Sequence, residues 1–392
     1  MTAESTIKLL IVAPYPVFPL VAGGKIRIVQ LARSLSKLGV DVTVLAPFHF
    51  TQRRVDWERE NFRLRTVKYP FVIPLLFTDR PFPYGYLISF QPGYRFCIRN
   101  LLLSFDIYQL EHPAFSGLAH SIRASGKPTV YSPHNVEYDY IRSETPWRAI
   151  KAISGKRILA LERELILNSS HLFTCSEGDK ARFVQLYGTS REIISVIPNG
   201  IDGASQRTED TPHSARVGCH RGCWAFPRQA IFSGSDVAHN RAAVRHILEK
   251  LAPRLAREVA FVIHGPCGKR FRRSGSDNVF FEPDHLDLRS YSRPGAVALN
   301  PVTQGSGTSM KLLQYLADGL PVISTQFGVR GLGDIADFVT VAPLEDFTDA
   351  IRTDHRLSLD VSEALARYEW NNIARTAKKV YSSLLDPQET RP

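Results

Sequence analysis

Gly305-Ser306-Gly307-Thr308-Ser309-Met310-Lys311-Leu312-Leu313-Gln314 joins a glycine- and hydroxyl-rich loop to the start of a helix. Free N–H groups at a helix N-terminus, with the hydroxyls of Ser306 and Thr308, form a nest for an anion. Lys311 and Gln314 stand three apart on one face, away from Leu312, Leu313 and Leu316, so a phosphate neutralised by Lys311 and hydroxyls bonded by Gln314 fit that face. An ordinary capped amphipathic helix accounts for the leucines but not for Gly-Ser-Gly-Thr.

Three further segments follow strands and carry polar or glycine residues. Tyr131-Ser132-Pro133-His134-Asn135-Val136-Glu137 offers His134, a donor or acceptor near neutral pH suited to sugar hydroxyls, with Glu137 nearby. A histidine that caps the next helix is the alternative. Ala22-Gly23-Gly24-Lys25 lets a ligand approach the backbone at a helix start, although it is neither the dinucleotide fingerprint nor a P-loop, and a simple turn reads equally well. Ile197-Pro198-Asn199-Gly200-Ile201-Asp202 suits either a hinge or a plain turn.

These segments are positioned by an alternation of strands and helices. Ile7 to Ala13 is a buried apolar run, Ile26, Val29, Leu31, Leu35 and Leu38 recur at helical spacing, Gly39 stops that helix, and Val40 to Leu45 is the next strand. Further strands are expected at 106–110, 129–132, 171–175 and 193–196. The grammar restarts at Ala230 with a strand to Ser233, a helix over 242–255, strands at 259–264, 279–281 and 296–300, a helix over 309–317, a strand over 321–325 and closing helices to about Leu385. The fold class is therefore α/β, two doubly wound Rossmann-like domains facing across a cleft. The expected boundaries are 1–202 for the first domain, 203–227 for a linker and surface excursion, 228–368 for the second domain, and 369–392 for a terminal helix packing back on the first.

The chain has 392 residues with 49 Lys and Arg against 38 Asp and Glu, a formal charge of +11. That surplus favours anionic partners, but no nucleic-acid module or aromatic-basic interleaving accompanies it, so nucleic acid is not expected. No stretch approaches the roughly 20 apolar residues of a membrane span, and Met1-Thr2-Ala3-Glu4 lacks a signal pattern, which predicts a cytoplasmic protein. Trp147, Ile150, Ile153 and Ile158 with interspersed Lys and Arg suit either a helix packed on the domain or peripheral contact with an anionic membrane. Five cysteines without framework spacing read as reduced thiols. His213, Cys219, His220 and Cys223 match no zinc spacing, and no metal is expected.

Gly23-Gly24 before a helix, His134-Asn135-Val136-Glu137, Ile197 to Asp202, and Gly305 to Thr308 with Lys311 and the following Gly319-Leu320-Pro321-Val322-Ile323-Ser324 occur in this order. In that order and spacing the chain resembles the family 4 glycosyltransferases over roughly Ile7 to Gly331. The resemblance implies a GT-B architecture and transfer of a sugar, with retention of configuration and no bound metal, from a nucleoside diphosphate donor, UDP- or GDP-sugar, to a saccharide, lipid-linked or small-molecule acceptor. It further implies that His134 contacts the transferred sugar, that Gly23 and Gly24 approach the diphosphate, and that Gly305, Ser306, Gly307, Thr308 and Gln314 bind the donor.

The chain departs from that pattern at Ser306 and Gln314, where many members carry glutamates. It departs again after the strand ending at Ser233-Gly234, where Ser235 and Asn240 stand in place of an Arg and a Lys. Arg241 or Lys311 is then expected to supply the positive charge that the leaving diphosphate needs. The departures keep two other readings in view: a catalytically weak nucleotide- or glycan-binding scaffold, and a nucleotide-sugar epimerase on the same plan.

Overall fold

Leu9, Leu10, Ile11 and Val12 are wholly buried, as a strand covered by helices on both faces requires. They lie in β1 (Lys8–Val12), which is followed by α1 (Gly23–Lys37) and β2 (Asp41–Phe48). The computed structural model describes residues 6–20, 22–48, 57–59, 62–68, 100–101, 104–144, 148–202, 221–272, 276–282, 288–292, 294–305, 308–357 and 360–386. The chain divides into two units, one of Met1–Asn199 with Trp370–Pro392 and one of Gly200–Glu369.

The first unit continues through β3 (Trp57–Arg59), β4 (Phe62–Lys68), β5 (Ile107–Leu110), α2 (Ser116–Ala124), β6 (Thr129–Tyr131), α3 (Glu137–Glu144), α4 (Arg148–Leu167), β7 (His171–Thr174), α5 (Glu177–Tyr187) and β8 (Ile194–Val196). Its sheet runs β3-β4-β2-β1-β5-β6-β7-β8, parallel except for β3, which pairs antiparallel with β4. Successive strands are laid down leftward from β1 and then, from β5, on its other side. The crevice at the carboxyl ends of β1 and β5 is therefore the topological switch point, where such sheets bind ligands.

The second unit holds β9 (Arg228–Ser233), α6 (Ala238–His246), β10 (Val259–His264), β11 (Val279–Glu282), β12 (Ala296–Asn300), α7 (Met310–Ala317), β13 (Val322–Ser324), β14 (Val339–Val341), α8 (Phe347–Arg352) and α9 (Val361–Ala366). Its six strands run β11-β10-β9-β12-β13-β14, all parallel, so the switch point lies between β9 and β12. The last helix, α10 (Trp370–Leu385), belongs to the first unit, buries Trp370, Ile373, Ala374, Ala377 and Tyr381, and packs along α1.

Four elements differ from the sequence expectation. The helix expected over 242–255 begins at Ala238 and gives way at Ile247–Leu251 to a wider turn in which the Ala252 N–H bonds Ile247 O; Pro253, which has no N–H, ends the ladder there. Val339–Val341 is a strand within the segment expected to be wholly helical, and β3 and β4 were not anticipated. The three-residue strands β3 and β14 carry too little alternation to stand out, whereas the seven residues of β4, Phe62-Arg63-Leu64-Arg65-Thr66-Val67-Lys68, do alternate and were overlooked. Ile158 is fully buried beside Ile141, in agreement with a helix packed on its domain, whereas Trp147 and most of the expected linker lie outside the described residues.

Candidate active site

At the switch point of the first unit, the strand ends deliver Tyr15 after β1, Glu111 and His112 after β5, and His134 after β6. His134 Nε2 lies 2.7 Å from Glu111 Oε2, and Nδ1 lies 2.7 Å from the Tyr15 hydroxyl. The Glu111 side chain is 1% exposed and that of His134 13%, so the ring is held at the rim of the crevice by a buried carboxylate. A carboxylate only accepts, which puts a proton on Nε2. Burial, and then the charges of Glu111 and Glu137, raise the Tyr15 pKa well above its ordinary value, so Tyr15 keeps its hydroxyl proton and, against a neutral ring, donates it to Nδ1.

Gly23 and Gly24 are the first two residues of α1. A Cβ on Gly24 would stand 2.0 Å from the Tyr15 hydroxyl and 2.4 Å from His134 Nδ1, so glycine is what lets the helix start close against this pair. Three residues on, buried Arg27 donates from one Nη to Pro198 O at 2.9 Å and to Asn199 Oδ1 at 3.2 Å. The Pro-Asn-Gly turn is thereby tied to α1, and the boundary between units falls between Asn199 and Gly200.

Beneath the His134 loop lies a buried acidic pair, Glu137 and Glu162. Glu162 of α4 accepts from the Tyr131 hydroxyl at 2.7 Å, from the Tyr187 hydroxyl at 2.5 Å, and from the backbone N–H groups of Glu137 and Tyr138 at 3.3 and 3.4 Å. It thus serves as the anionic cap of α3, which begins three residues after His134. Burial, and for Glu137 also the charge of Glu162, raises both carboxyls, Glu137 further, to about 8. With four donors aimed at it, Glu162 is the one that keeps its charge, and Glu137 holds a proton near neutrality. His112, whose Nδ1 accepts from Ala114 N–H at 3.1 Å, is pushed down to about 3 by burial and then by His134, and stays neutral. The Cys175 thiol, turned toward the Pro133 and His134 carbonyls, is raised to about 11 by burial and is no nucleophile.

In the second unit, Lys311 on the first turn of α7 reaches back to the end of β9. Its Nζ donates to Asn240 Oδ1 at 2.6 Å and stands 4.4 Å from the centre of the Phe232 ring. Desolvation there lowers its pKa to about 8. Asn240 in turn donates to Ser235 O at 3.0 Å, and a Cβ on Gly234 would meet its amide at 2.7 Å. Asn240 thus holds the lysine contributed by α7. Gly305, at φ +132, turns the chain beside the His239 ring. Ser306 and Gly307 lie outside the described residues. Arg241 is committed to Asp236, with Nη1 to Oδ1 at 2.8 Å, and Gln314 donates to Asp318 Oδ2 at 2.8 Å, one turn along its own helix.

His134, Gly23 and Gly24 therefore meet in one cluster, and Lys311, Gly234 and Asn240 in another. Tyr15, Glu111, Arg27 and Glu162 were not singled out in the sequence. Glu111 alone left a signal, as a carboxylate directly after a buried strand. Among the described residues no group of three or more His, Cys, Asp or Glu is arranged to hold a metal, and no helix is long and apolar enough to cross a membrane.

The family model described as Glycosyltransferase Family 4 matches residues 21–204, and that described as Glycosyl transferases group 1 matches residues 227–353. Among solved structures the chain is similar to Alr3699/HepE of Anabaena in complex with UDP and glucose, with a TM-score of 0.68 and 15% identity over 96% of this chain and 100% of that one. It is also similar to a trehalose-6-phosphate structure from E. coli bound with UDP-2-fluoro glucose, with a TM-score of 0.60 and 13% identity over 97% and 99% of the two chains. WaaG, a glycosyltransferase involved in lipopolysaccharide biosynthesis, gives a TM-score of 0.61 and 19% identity over 97% and 98%. A search of curated proteins found no match. Two parallel α/β units with ligand crevices at their switch points, carried by these two models, define a sugar transferase of GT-B architecture. Within that class the chain belongs to the family 4 type of glycosyltransferases.

Proposed function

We propose that the protein transfers a sugar, with retention of anomeric configuration, from a nucleoside diphosphate-sugar to a saccharide, lipid-linked or small-molecule acceptor in the cytoplasm. The observation that carries this reading is the His134 ring, fixed between Glu111 and Tyr15 at the switch point of the first unit. Both ring nitrogens are occupied, so a hydroxyl of the transferred sugar bonds this side chain by taking the place of Tyr15 at Nδ1.

As the sugar–phosphate bond breaks, positive charge spreads over the ring carbon and oxygen, and the departing diphosphate gains negative charge. Lys311 is the cation for that charge, since Arg241 is already matched to Asp236. Gly23 and Gly24 at the start of α1 and, in the second unit, the N-terminus of α7 are the backbone N–H groups we assign to the phosphates, whereas the Gly234 N–H is taken by His264 O at 3.1 Å. Gln314, in exchanging Asp318 for a ribose hydroxyl, supplies an amide where a carboxylate would bind more strongly.

UDP-sugars are the first donors to test, a choice supported by the ligands of the Anabaena and E. coli structures, with GDP-sugars second. Thermal shift against UDP, GDP, ADP, CMP and dTDP and their sugars names the base, because a ligand that binds only the folded state raises Tm. The anomeric coupling of the product, read by NMR, decides the stereochemistry, and a product of inverted configuration overturns retention. Selective nucleotide binding without transfer to any acceptor would move the reading to a binding scaffold. Lys156 and Arg157 in α4 favour contact with an anionic leaflet for a lipid-linked acceptor; failure to co-sediment with phosphatidylglycerol vesicles removes that part.

A further inference from the structure

We propose that Glu111, Gln109 and Tyr381 of the carboxyl-terminal helix are positioning residues that hold the His134 ring in one tautomer, protonated at Nε2 and bare at Nδ1. The proposal rests on the reading of His134 as the group that meets the sugar, and it assigns to α10 a part in that site.

The four residues form a hydrogen-bonded line through the interior. The Tyr381 hydroxyl donates to Gln109 Oε1, Gln109 Nε2 donates to Glu111 Oε1 at 2.5 Å, and Glu111 Oε2 accepts from His134 Nε2 at 2.7 Å. Gln109 and Tyr381 are 0% exposed and Glu111 is 2% exposed, so water does not substitute for any link. Polarity is set at each step. An amide oxygen only accepts, so Tyr381 must donate to it; that turns the amide nitrogen to Glu111. A carboxylate only accepts, so the imidazole must present N–H at Nε2, and in the neutral ring its other nitrogen keeps a lone pair for the Tyr15 hydroxyl. In water the two neutral tautomers of imidazole interconvert freely; here the wrong one would set a bare nitrogen against a buried carboxylate. A bare Nδ1 is the acceptor that a sugar hydroxyl needs. The line starts on Tyr381, some 270 residues from Gln109 in sequence, and it gives the last helix a role in the chemistry beyond covering the sheet.

The test uses the full-length chain with 15N-labelled histidine rings, the His134 signals among the 12 histidines being assigned by their loss in His134→Gln. The wild type is expected to show an N–H resonance at Nε2 and an unprotonated one at Nδ1. Glu111→Gln is expected to mix the tautomers, because its amide must offer N–H either to His134 or to Gln109. Tyr381→Phe, which removes one oxygen, is expected to shift the Nε2 resonance and lower kcat by about tenfold with the donor KM unchanged. A wild-type ring protonated at Nδ1, or a His134 signal identical in the wild type and Tyr381→Phe, overturns the proposal. Should Glu111→Gln not fold, Tyr381→Phe decides alone. Ring signals that respond as expected in a protein that transfers no sugar would keep the line and sink the enzymatic reading, so the two failures are distinguishable.

Discussion

At the scale of single residues, Lys311 makes the sharpest prediction. Its pKa in the free protein is lowered to about 8 by desolvation, and a diphosphate at Nζ would raise it. Nucleotide affinity is therefore full below pH 8 and falls above it, by up to about tenfold per pH unit until the bound-state pKa is reached. Calorimetric titration with UDP between pH 7 and 10 measures this, and Lys311→Gln is expected to bind weakly with a flat profile over that range. A steep profile in the variant would remove Lys311 from the role. The stability effect has the opposite sense. A lysine whose folded-state pKa is depressed costs stability at neutral pH, so Lys311→Met is expected to raise Tm while it abolishes turnover.

The acidic pair below His134 gives a second test. Glu137 and Glu162 have folded-state pKa values above those of an unfolded chain, which means that they favour folding most below about pH 4.5 and lose that contribution as pH rises toward about 8. Replacing Glu137 with Gln, which mimics its protonated form, is expected to flatten the decline of Tm between pH 5 and 8. An unchanged slope would mean that Glu137 is already ionised in the fold. Glu162→Gln is expected to behave differently, because an amide cannot accept from all four of its donors, and the cost of leaving buried donors unpaired is about 1–3 kcal/mol.

At the scale of elements, the close start of α1 against the His134 ring is the feature to probe. Gly24→Ala places a methyl group inside contact distance of both the Tyr15 hydroxyl and His134 Nδ1, so these side chains must shift. Overpacking of this kind costs about 1–3 kcal/mol, and the displacement of the ring is expected to reduce kcat by about a hundredfold. Circular dichroism should still report a folded chain, because the helix itself gains from alanine over glycine. Normal kcat in a folded Gly24→Ala protein would show that the position of the ring does not matter to the chemistry.

At the scale of the whole molecule, α10 ties the chain's end to its first unit. Trp370, Ile373, Ala377 and Tyr381 are buried there, each large side chain worth about 2 kcal/mol, and Lys378 Nζ donates to Leu38 O at 2.9 Å at the end of α1. A chain ending at Glu369 is expected to lose the cooperative unfolding of the first unit while the second still melts as before. Amide exchange resolves the two: protection should vanish in β1, β5 and β6 and persist in β9, β10 and β12. Equal loss in both units would contradict the division at Asn199 and Trp370.

Much of this protein was legible in its sequence because local rules suffice for local structure. Apolar runs such as Leu9 to Val12 and Val259 to His264 read as buried strands, helical spacing after Gly24 read as α1, and a strand end marked His134 as a position beside a crevice. Those signals need only neighbours a few residues away. The partners of His134 did not declare themselves, because Glu111 lies 23 residues from it and Tyr15 lies 119 residues away. Nothing in a charge or a hydroxyl says which distant nitrogen it will face. The same holds for Asn240, which looked like a missing cation until Lys311, 71 residues on, was found bonded to it. Periodicity and residue type determined the elements, and the ordered motifs, through their resemblance to a family, pointed to the class of chemistry. Only tertiary structure, which chooses among many polar groups by burying some and leaving others wet, decided which side chains hold the histidine and which one holds Lys311.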